Sequence, residues 1–592
     1  MQTMPLPDKR NNRKYLQLTA FTLLCFIGLV YNLSEVPPYH TDENFYVTTS
    51  RNMIESKDYI TPIYHGKKRF AKPILFYWQV AASYKIFGVN LFSARLVSVF
   101  FGALSIPLVY LIARRLFDSK TAMISALLLP GCYLHFQIAR WAITDMALNF
   151  FVLLVFYFFI KGFQQKENRN TSYYLTYICM GLGFMIKGPP AIIIPSIVIG
   201  CYILILRKWK ELTQLKLGIG AVILSVIILP WFITMLAMHG DEFKNHILGA
   251  ELRDRIIHDT PFSLYYFGVI IRYYLPWSFF LISALVTKFG SIAKTSSSEP
   301  LNDKYFSSLL TKLSIWYSKA IDKNNQAFLL STLWIILPLI LFTIFRIEHS
   351  RYMLPISAPI VMIIAQFLSQ LMSSQEGFES KVFRVPFYLT LIFYFLIVTL
   401  IALGIFLLNS HLTAPTGLKT LLVFQIFGLA LVFFYYKLKK YFPMIISLSC
   451  LQVIILTTLS GDVLSYFNRY PMKTFANKIS SDPQNNKHIG LYKLGNHRAR
   501  IGVMTGLPSI LLKTPNELKQ FIESNESVYI VMRQAEWGKN FYELPVKTLA
   551  VDSGWRKLNI TKHKVQSLLI GKSAYQLNDY SENYILLKKD DE

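Results

Sequence analysis

Residues 91–113 read LFSARLVSVFFGALSIPLVYLIA and are followed at once by Arg114 and Arg115. The stretch carries one charge, Arg95, and is longer than the roughly 18–20 apolar residues that cross a bilayer as a helix. A basic pair at the end of such a block marks the cytoplasmic side, because positive charge is retained there. This one block therefore sets both the class, a membrane-spanning helix, and a direction.

Working outward from it, the chain contains about thirteen candidate spans by the same length criterion. They lie near 16–33, 91–113, 121–139, 146–162, 173–186, 190–206, 217–238, 264–287, 327–345, 352–372, 385–408, 418–436 and 443–460. Lys9, Arg10, Arg13 and Lys14 precede the first span and put the N-terminus inside. Alternate connections carry Arg114, Arg115 and Lys120, then Lys161, Lys166 and Arg169, then Arg207, Lys208, Lys210 and Lys216, and finally Lys437, Lys439 and Lys440. These clusters agree in phase, so residues from about 461 onward emerge outside.

Composition supports the same class. Of 592 residues, 53% are hydrophobic and 15% aromatic, too apolar for a soluble chain of this length. The formal charge of +27 does not indicate nucleic-acid binding, because the Lys and Arg flank membrane spans and do not gather on one soluble face. It suits topology and contact with anionic membrane lipids. Cys25, Cys132, Cys179, Cys201 and Cys450 all fall in or at the ends of apolar blocks, which implies neither a disulfide framework nor a CxxC metal site. The first block has a basic flank but no small-residue cleavage site, and reads as a retained anchor.

Three outside stretches exceed simple turns: 34–90, 239–263 and the tail from 461. In the first, Thr41-Asp42-Glu43 predicts a helix start, with acids in the first turn, running to about Ser56. A second helix is expected from Lys72-Pro73 to about Phe87, lying along the membrane interface with an aromatic surface. Residues 290–325 read as an inside loop with a surface-lying helix near 305–320. The tail alternates strand-like runs (489–492, 528–532, 584–587) with a capped helix at Thr514-Pro515-Asn516-Glu517, the pattern of a small α/β domain.

Ionisable groups at outside span ends carry the functional signal, since a charge at the membrane boundary is costly unless paired or used. Asp42 and Glu43 follow the first span, and Asp145 lies in the short connection after the third. Each could also serve as a helix cap or dipole complement. Lys72, Lys187, Arg255, His258 and Arg351, the last beside Tyr352, add cations at outside ends. Convergent cations suit a phosphate, with Lys as a point charge and Arg as a fork. Together the two groups describe a site that holds a phosphate beside a carboxylate.

These residues also carry a resemblance. Asp42-Glu43-Asn44-Phe45-Tyr46, Phe70-Ala71-Lys72-Pro73 with Tyr77-Trp78, Phe87-Gly88-Val89 and Ser93-Ala94-Arg95-Leu96 resemble the first outside loop of bacterial GT-C glycosyltransferases, in the lipid A aminoarabinose transferase and protein-mannosyltransferase-like group. The resemblance continues through Thr144-Asp145-Met146, Gly183-Phe184-Met185-Ile186-Lys187-Gly188-Pro189, Pro230-Trp231, Leu275-Pro276-Trp277 and Ser350-Arg351-Tyr352-Met353-Leu354-Pro355, covering roughly residues 40–365.

It implies a polytopic α-helical membrane protein of GT-C type, with a transmembrane domain over 1–460 that includes the first periplasmic loop 34–90, and a periplasmic α/β domain over 461–592. It further implies a bacterial inner-membrane glycosyltransferase with a polyprenyl-phosphate-linked sugar as donor and lipid A or a related envelope glycolipid as acceptor. A protein hydroxyl is the acceptor in other members. A lipid-linked-sugar transporter is disfavoured, because the charges sit at span ends and not at mid-membrane.

Carried over by motif, Asp42 takes the place of the catalytic carboxylate and Asp145 that of a second essential acid, with Glu43 beside them. Lys72 and Tyr352 take the places of donor-phosphate contacts, and Arg351, Lys187, Arg255 and His258 join them. The family motif often has Glu, supporting a metal, where this chain has Ala71; this weakens a divalent-metal assignment, and no other cofactor is implied. Aminoarabinose enzymes usually have Arg where this chain has Phe45, which bears on the identity of sugar and acceptor.

The topology is directly testable. A tag after Glu592 is expected to be accessible to a membrane-impermeant reagent from outside the cell membrane, and one before Met1 is not; the opposite labelling would invert the span count.

Overall fold

The computed structural model describes residues 9–36, 38, 41–247, 249, 263–296, 322, 325–345, 348–374, 377–409, 416–467, 470–482, 488–524, 528–541, 544–555 and 581–589. The chain is a multi-pass membrane protein. Eight described helices are long and apolar enough to cross a membrane: Leu91–Leu116, Thr144–Gln164, Trp209–His246, Gln326–Ile344, Ser350–Leu371, Lys381–Phe406, Thr416–Lys437 and Tyr441–Val463. Lys14–Val30 and Pro190–Ile205 are shorter apolar helices, and Arg169–Lys187 is a more polar one. Val226, Ile233, Phe395, Phe406 and Phe427 are among the large apolar side chains left exposed on these helices, as lipid-facing surface requires.

Two blocks expected as straight spans are broken. Ser119–Gly131 and Tyr133–Ala139 meet at 63°, and Tyr265–Tyr273 and Trp277–Lys288 at 112°. Pro130-Gly131 and Pro276 sit at the two breaks, and a proline without an N–H interrupts the helical ladder there. With these two pairs, each of the thirteen apolar blocks coincides with a helix or a broken helix. The helix expected near 305–320 lies outside the described residues.

The first long loop lies between α1 (Lys9–Val30) and α4 (Leu91–Leu116) and contains α2 (Thr41–Ser56) and α3 (Leu75–Phe87). Between α2 and α3, strands β1 (Ile63–Tyr64) and β2 (Lys67–Lys68) form a hairpin closed by His65 and Gly66, whose φ values are +49° and +76°. Positive φ at both central residues is what a two-residue hairpin turn requires. α3 begins two residues after Pro73, not at it, and residues 70–73 instead wall a cavity. It buries Phe76, Tyr77, Val80 and Tyr84 and leaves Trp78, Ile86 and Phe87 exposed, so only part of its aromatic surface is free for a membrane interface.

One buried ion pair ties this loop to the bundle. Arg95, in the first turns of α4 and 3% exposed, holds Glu43, at 0%, through Nε to Oε1 at 2.7 Å and Nη2 to Oε2 at 2.8 Å. Arg95 Nη1 also donates to the carbonyls of Leu33 and Val36, at 2.6 and 2.7 Å. The backbone N–H of Ala142 donates to Glu43 Oε1 at 2.9 Å. Arg140 donates to the carbonyls of Leu29 and Tyr31, each at 2.8 Å, and so caps the end of α1.

The C-terminal residues form a five-stranded sheet of β3 (His488–Tyr492), β4 (Ser509–Leu512), β5 (Val528–Arg533), β6 (Lys547–Trp555) and β7 (Ser581–Lys588) in the order β4-β3-β5-β7-β6. β4, β3 and β5 run parallel, and β7 is antiparallel to both its neighbours. Tyr529 and Val531 pack on one face, Val528, Ile530 and Met532 on the other, the period of two that a sheet covered on both sides needs. The expected helix is capped by Thr514, which accepts from the Glu517 N–H at 3.2 Å, while the Lys513 N–H donates to Glu517 Oε2 at 2.7 Å. β4 and β6 were not expected from sequence. Lys473 pairs with Glu35, and Arg51 donates to the Gly502 carbonyl at 3.2 Å, joining the sheet unit to the first loop, while Asp462, at the end of the last membrane-length helix, accepts from Tyr31 and Asn32.

Removing one member of a buried pair leaves the other charge uncompensated. Glu43→Ala is expected to cost about 3–5 kcal/mol of stability, read as a fall in the thermal midpoint of the detergent-purified chain. The double variant Glu43→Leu, Arg95→Met should cost less than the single one; a larger loss would show that the charge pairing is not what the single change breaks.

Candidate active site

A cavity of about 450 Å³ opens where four parts of the chain meet. Phe70, Ala71, Lys72 and Pro73 come from the first loop, and Asp145 from the first turn of α7 (Thr144–Gln164). Lys187 closes α8 (Arg169–Lys187), and Pro189 and Pro190 open α9 (Pro190–Ile205). Arg351 and Tyr352 belong to the short 3-10 helix Ser350–Ile356. The rest of the lining is apolar: Phe184, Ile193, Ile194, Trp231, Phe232, Leu341, Phe342 and Phe345.

Local sequence explains each position. Gly188 has φ +94°, a conformation that side chains with a Cβ rarely adopt, and with two prolines after it the chain must stop one helix and start the next. That turn places the Lys187 ammonium at the joint. The 350–356 turn is pinned by Tyr274, whose hydroxyl donates to the Met353 carbonyl at 3.2 Å and lies 2.7 Å from Ser357 Oγ. The Tyr352 ring sits 5.2 Å from Phe342 and 5.4 Å from His349.

The charges form a connected chain. Lys187 Nζ pairs with Asp145 Oδ1 and lies 4.5 Å from the Tyr352 ring centre. Arg351 Nη2 is 2.7 Å from Asp42 Oδ2, and its Nε is 3.9 Å from Asp145 Oδ1. Lys72 Nζ donates to the Ala71 carbonyl at 2.7 Å. Asp145 is 6% exposed and enclosed by two cations, whereas Asp42 is 33% exposed and reaches the network from the start of α2. Burial, and after it the neighbouring Arg351, hold the His349 imidazole pKa below its ordinary value, so this ring adds no charge at neutral pH.

The structure thus brings together Asp42, Asp145, Lys72, Lys187, Arg351 and Tyr352. Glu43 is not with them: both its oxygens are engaged in the Arg95 clamp, because successive residues of a helix point about 100° apart and α2 turns Asp42 toward Arg351 while Glu43 faces α4. Arg255 and His258 lie outside the described residues. Asp145 spends its carboxylate on Lys187 and Arg351 and not on capping α7. The apolar lining from Trp231 and Phe232 was not anticipated as part of the site, although Pro230-Trp231 stood out as a motif. Arg69 was also missed. Its guanidinium stacks 3.6 Å above the ring of Phe45, putting a cation beside the position where the resemblance led one to expect Arg.

Among the described residues no three His, Cys, Asp or Glu side chains come together. The two acids at the cavity are bridged by the Arg351 guanidinium, a donor set that does not fit a divalent cation.

Comparison with known proteins gives the fold a relative. Residues 71–233 match the family described as dolichyl-phosphate-mannose-protein mannosyltransferase. Over 272 residues the chain is 32% identical to a protein of Aquifex aeolicus, an alignment spanning 46% of this chain and 53% of that one. It is 28% identical over 357 residues to the undecaprenyl phosphate-alpha-4-amino-4-deoxy-L-arabinose arabinosyl transferase of Pseudomonas aeruginosa strain UCBPP-PA14, with 59% of each chain covered. The chain therefore spans little more than half the length of these relatives. The crystal structure of ArnT from Cupriavidus metallidurans bound to undecaprenyl phosphate superposes with a TM-score of 0.68 at 17% identity, covering 97% of this chain and 98% of that one. The chain has that GT-C fold, with the C-terminal sheet included, and it is similar to the aminoarabinose transferases in sequence as its first-loop motifs suggested.

Proposed function

We propose that the chain is a glycosyltransferase that moves a sugar from a polyprenyl-phosphate carrier to lipid A or a related envelope glycolipid. In this reading it works at the outer face of a bacterial inner membrane, with residues 1–460 as the transmembrane domain, 461–592 as a periplasmic domain and the N-terminus in the cytoplasm. The observation that carries it is the join between a charged cluster and an apolar cavity at one membrane-boundary site. Lys72, Lys187 and Arg351 set against Asp42 and Asp145 leave one net positive charge, and the apolar wall of Phe184, Ile193, Trp231, Phe232 and Phe345 begins beside it. A polyprenyl phosphosugar has the complementary form, a phosphodiester with one negative charge on an apolar tail. The activity of the Pseudomonas aeruginosa relative and the undecaprenyl phosphate held by the Cupriavidus metallidurans protein support the same donor class.

The chemistry follows from charge. As the acceptor oxygen bonds to the anomeric carbon, the bond from that carbon to the phosphate oxygen breaks and its electron pair stays on the phosphate. The leaving group then gains a second negative charge, so Lys72, Lys187 and Arg351 stabilise the departing monoester more than the bound diester. Tyr352, in contact with Lys187, lines the same place. Asp145 orients the two cations it pairs with. Asp42, the more exposed acid, faces the incoming acceptor: it takes the proton of a hydroxyl, or positions a phosphate that is already ionised.

Two expectations test this. Asp42→Asn should abolish sugar transfer in reconstituted membranes while the chain still expresses and inserts; full activity would remove Asp42 from the reaction, and sugar recovered on secreted protein instead of glycolipid would favour a protein acceptor. Lys72→Ala should weaken undecaprenyl phosphate binding about 10- to 100-fold, the loss of one charge-assisted contact of about 1.5–3 kcal/mol. An unchanged affinity in that titration would mean the phosphate is held elsewhere.

A further inference from the structure

A second cavity, of about 330 Å³, lies where α2 and the β1–β2 turn meet the helix Arg498–Thr505 and strand β4. Thr48, Arg51, His65, Tyr84, Arg498 and Ser509 line it. We propose that this cavity binds a second anionic group, a phosphate or a carboxylate, on the acceptor whose first group receives the sugar beside Asp42. The proposal rests on the acceptor reading above and extends it to a recognition site.

Charge is the first reason. Arg51 pairs with Glu55 at 2.6 Å, whereas no acid among the described residues pairs with Arg498, whose Nε donates to the Ser509 carbonyl at 2.8 Å. The cavity therefore keeps one uncompensated guanidinium, the side chain best shaped for a planar or tetrahedral oxyanion. Burial first, and then Arg498, lower the His65 pKa, so at neutral pH its ring offers a hydrogen bond and no charge.

Geometry is the second reason. Asp42 and Arg51 lie nine residues apart on α2, about 14 Å along the axis at 1.5 Å per residue. Between them the helix presents Phe45 and Thr48, and the path is walled by aromatic rings: Phe45 meets Tyr64 at 4.7 Å, and Tyr64 meets His65 at 4.1 Å. Arg69 stacks on Phe45 in the middle of this path, and its buried Nε has no hydrogen-bond partner among the described residues. A site for one anion beside Asp42 and a site for another beside Arg498 are thus joined by a cation-bearing aromatic wall. A sugar-phosphate headgroup with two anionic groups spans that distance and can stack its ring faces on the wall. A single phospholipid headgroup has one phosphate and cannot occupy both ends.

The experiment uses the full purified chain in lipid nanodiscs, titrated with lipid A bearing two phosphates, with its monophosphoryl form, with inorganic phosphate and with undecaprenyl phosphate. The unmodified chain is expected to bind the two-phosphate lipid roughly tenfold more tightly than the one-phosphate lipid. Arg498→Gln retains a donor for the Ser509 carbonyl but loses the charge, and should abolish that preference while leaving undecaprenyl phosphate affinity unchanged; Arg498→Lys should keep most of the preference. Equal affinity for the two lipids in the unmodified chain, or an undiminished preference in Arg498→Gln, overturns the proposal. Inorganic phosphate bound at Arg498 without any discrimination between the lipids would assign the cavity to a free anion and overturn it as well. Failure to bind undecaprenyl phosphate would instead strike at the donor reading, which separates the two outcomes.

Discussion

The arrangement of the first loop and of the cavity beside it depends on the buried Arg95–Glu43 pair. A guanidinium inside an apolar span is expensive unless every donor is used. Arg95 spends its donors on Glu43 and on the carbonyls of Leu33 and Val36, and Glu43 takes the Ala142 N–H in addition. Three separate segments are thereby held against one ion pair: the residues just after α1, the start of α2 and the connection that leads into α7. Asp42 precedes Glu43 and Asp145 follows Ala142 by three residues, so the clamp sets the positions of both acids at the cavity without touching the cavity itself.

The far side of the first loop is held by different means. Trp231 Nε1 donates to the Ile60 carbonyl at 3.1 Å, Thr61 Oγ1 lies 2.9 Å from His239 Nε2, and Lys68 meets Glu242 at 2.7 Å. These contacts bind the hairpin segment to the C-terminal half of the Leu217–His246 helix, and so bring Phe70–Pro73 over the apolar wall. An irregular segment at a membrane boundary keeps a fixed shape only if rigid elements hold it at both ends. The clamp provides one end and the long helix the other.

The spans were legible because length and hydrophobicity act within one segment, and each apolar block coincides with a helix or a broken helix. The charged residues of the site were legible for a related reason. Asp42, Lys72, Asp145, Lys187 and Arg351 are charges where a charge is costly, and such positions are rarely idle. What could not be read was how neighbours in sequence divide their work. Asp42 and Glu43 are adjacent and chemically alike, yet helix geometry sends one to Arg351 and the other to Arg95. The signal for that division was present in Arg95, a lone charge within an apolar block, but its partner lies 52 residues away. Strands β4 and β6 were missed for a similar reason, since each is fixed by a partner elsewhere in the chain, β4 by β3 and β6 by β7, and the bends at Pro130 and Pro276 were missed because length and hydrophobicity alone do not tell a straight span from a bent one.

Phe45 shows how a local departure from a motif is absorbed by three-dimensional packing. The resemblance led to an arginine at that position, and its replacement by an aromatic ring removes a charge from α2. The guanidinium of Arg69, arriving from the hairpin, lies flat on that ring at 3.6 Å. A ring face attracts a cation and strips little water from a guanidinium, which is weakly hydrated compared with an ammonium. The cation is thus kept near α2, but it is carried by a segment that is also tied to the Leu217–His246 helix and that borders the Arg498 cavity through Tyr64 and His65. Charge at this place has become a property of the loop and not of the helix, so its position depends on how the loop is docked, and any group that binds between Asp42 and Arg498 must pass against it.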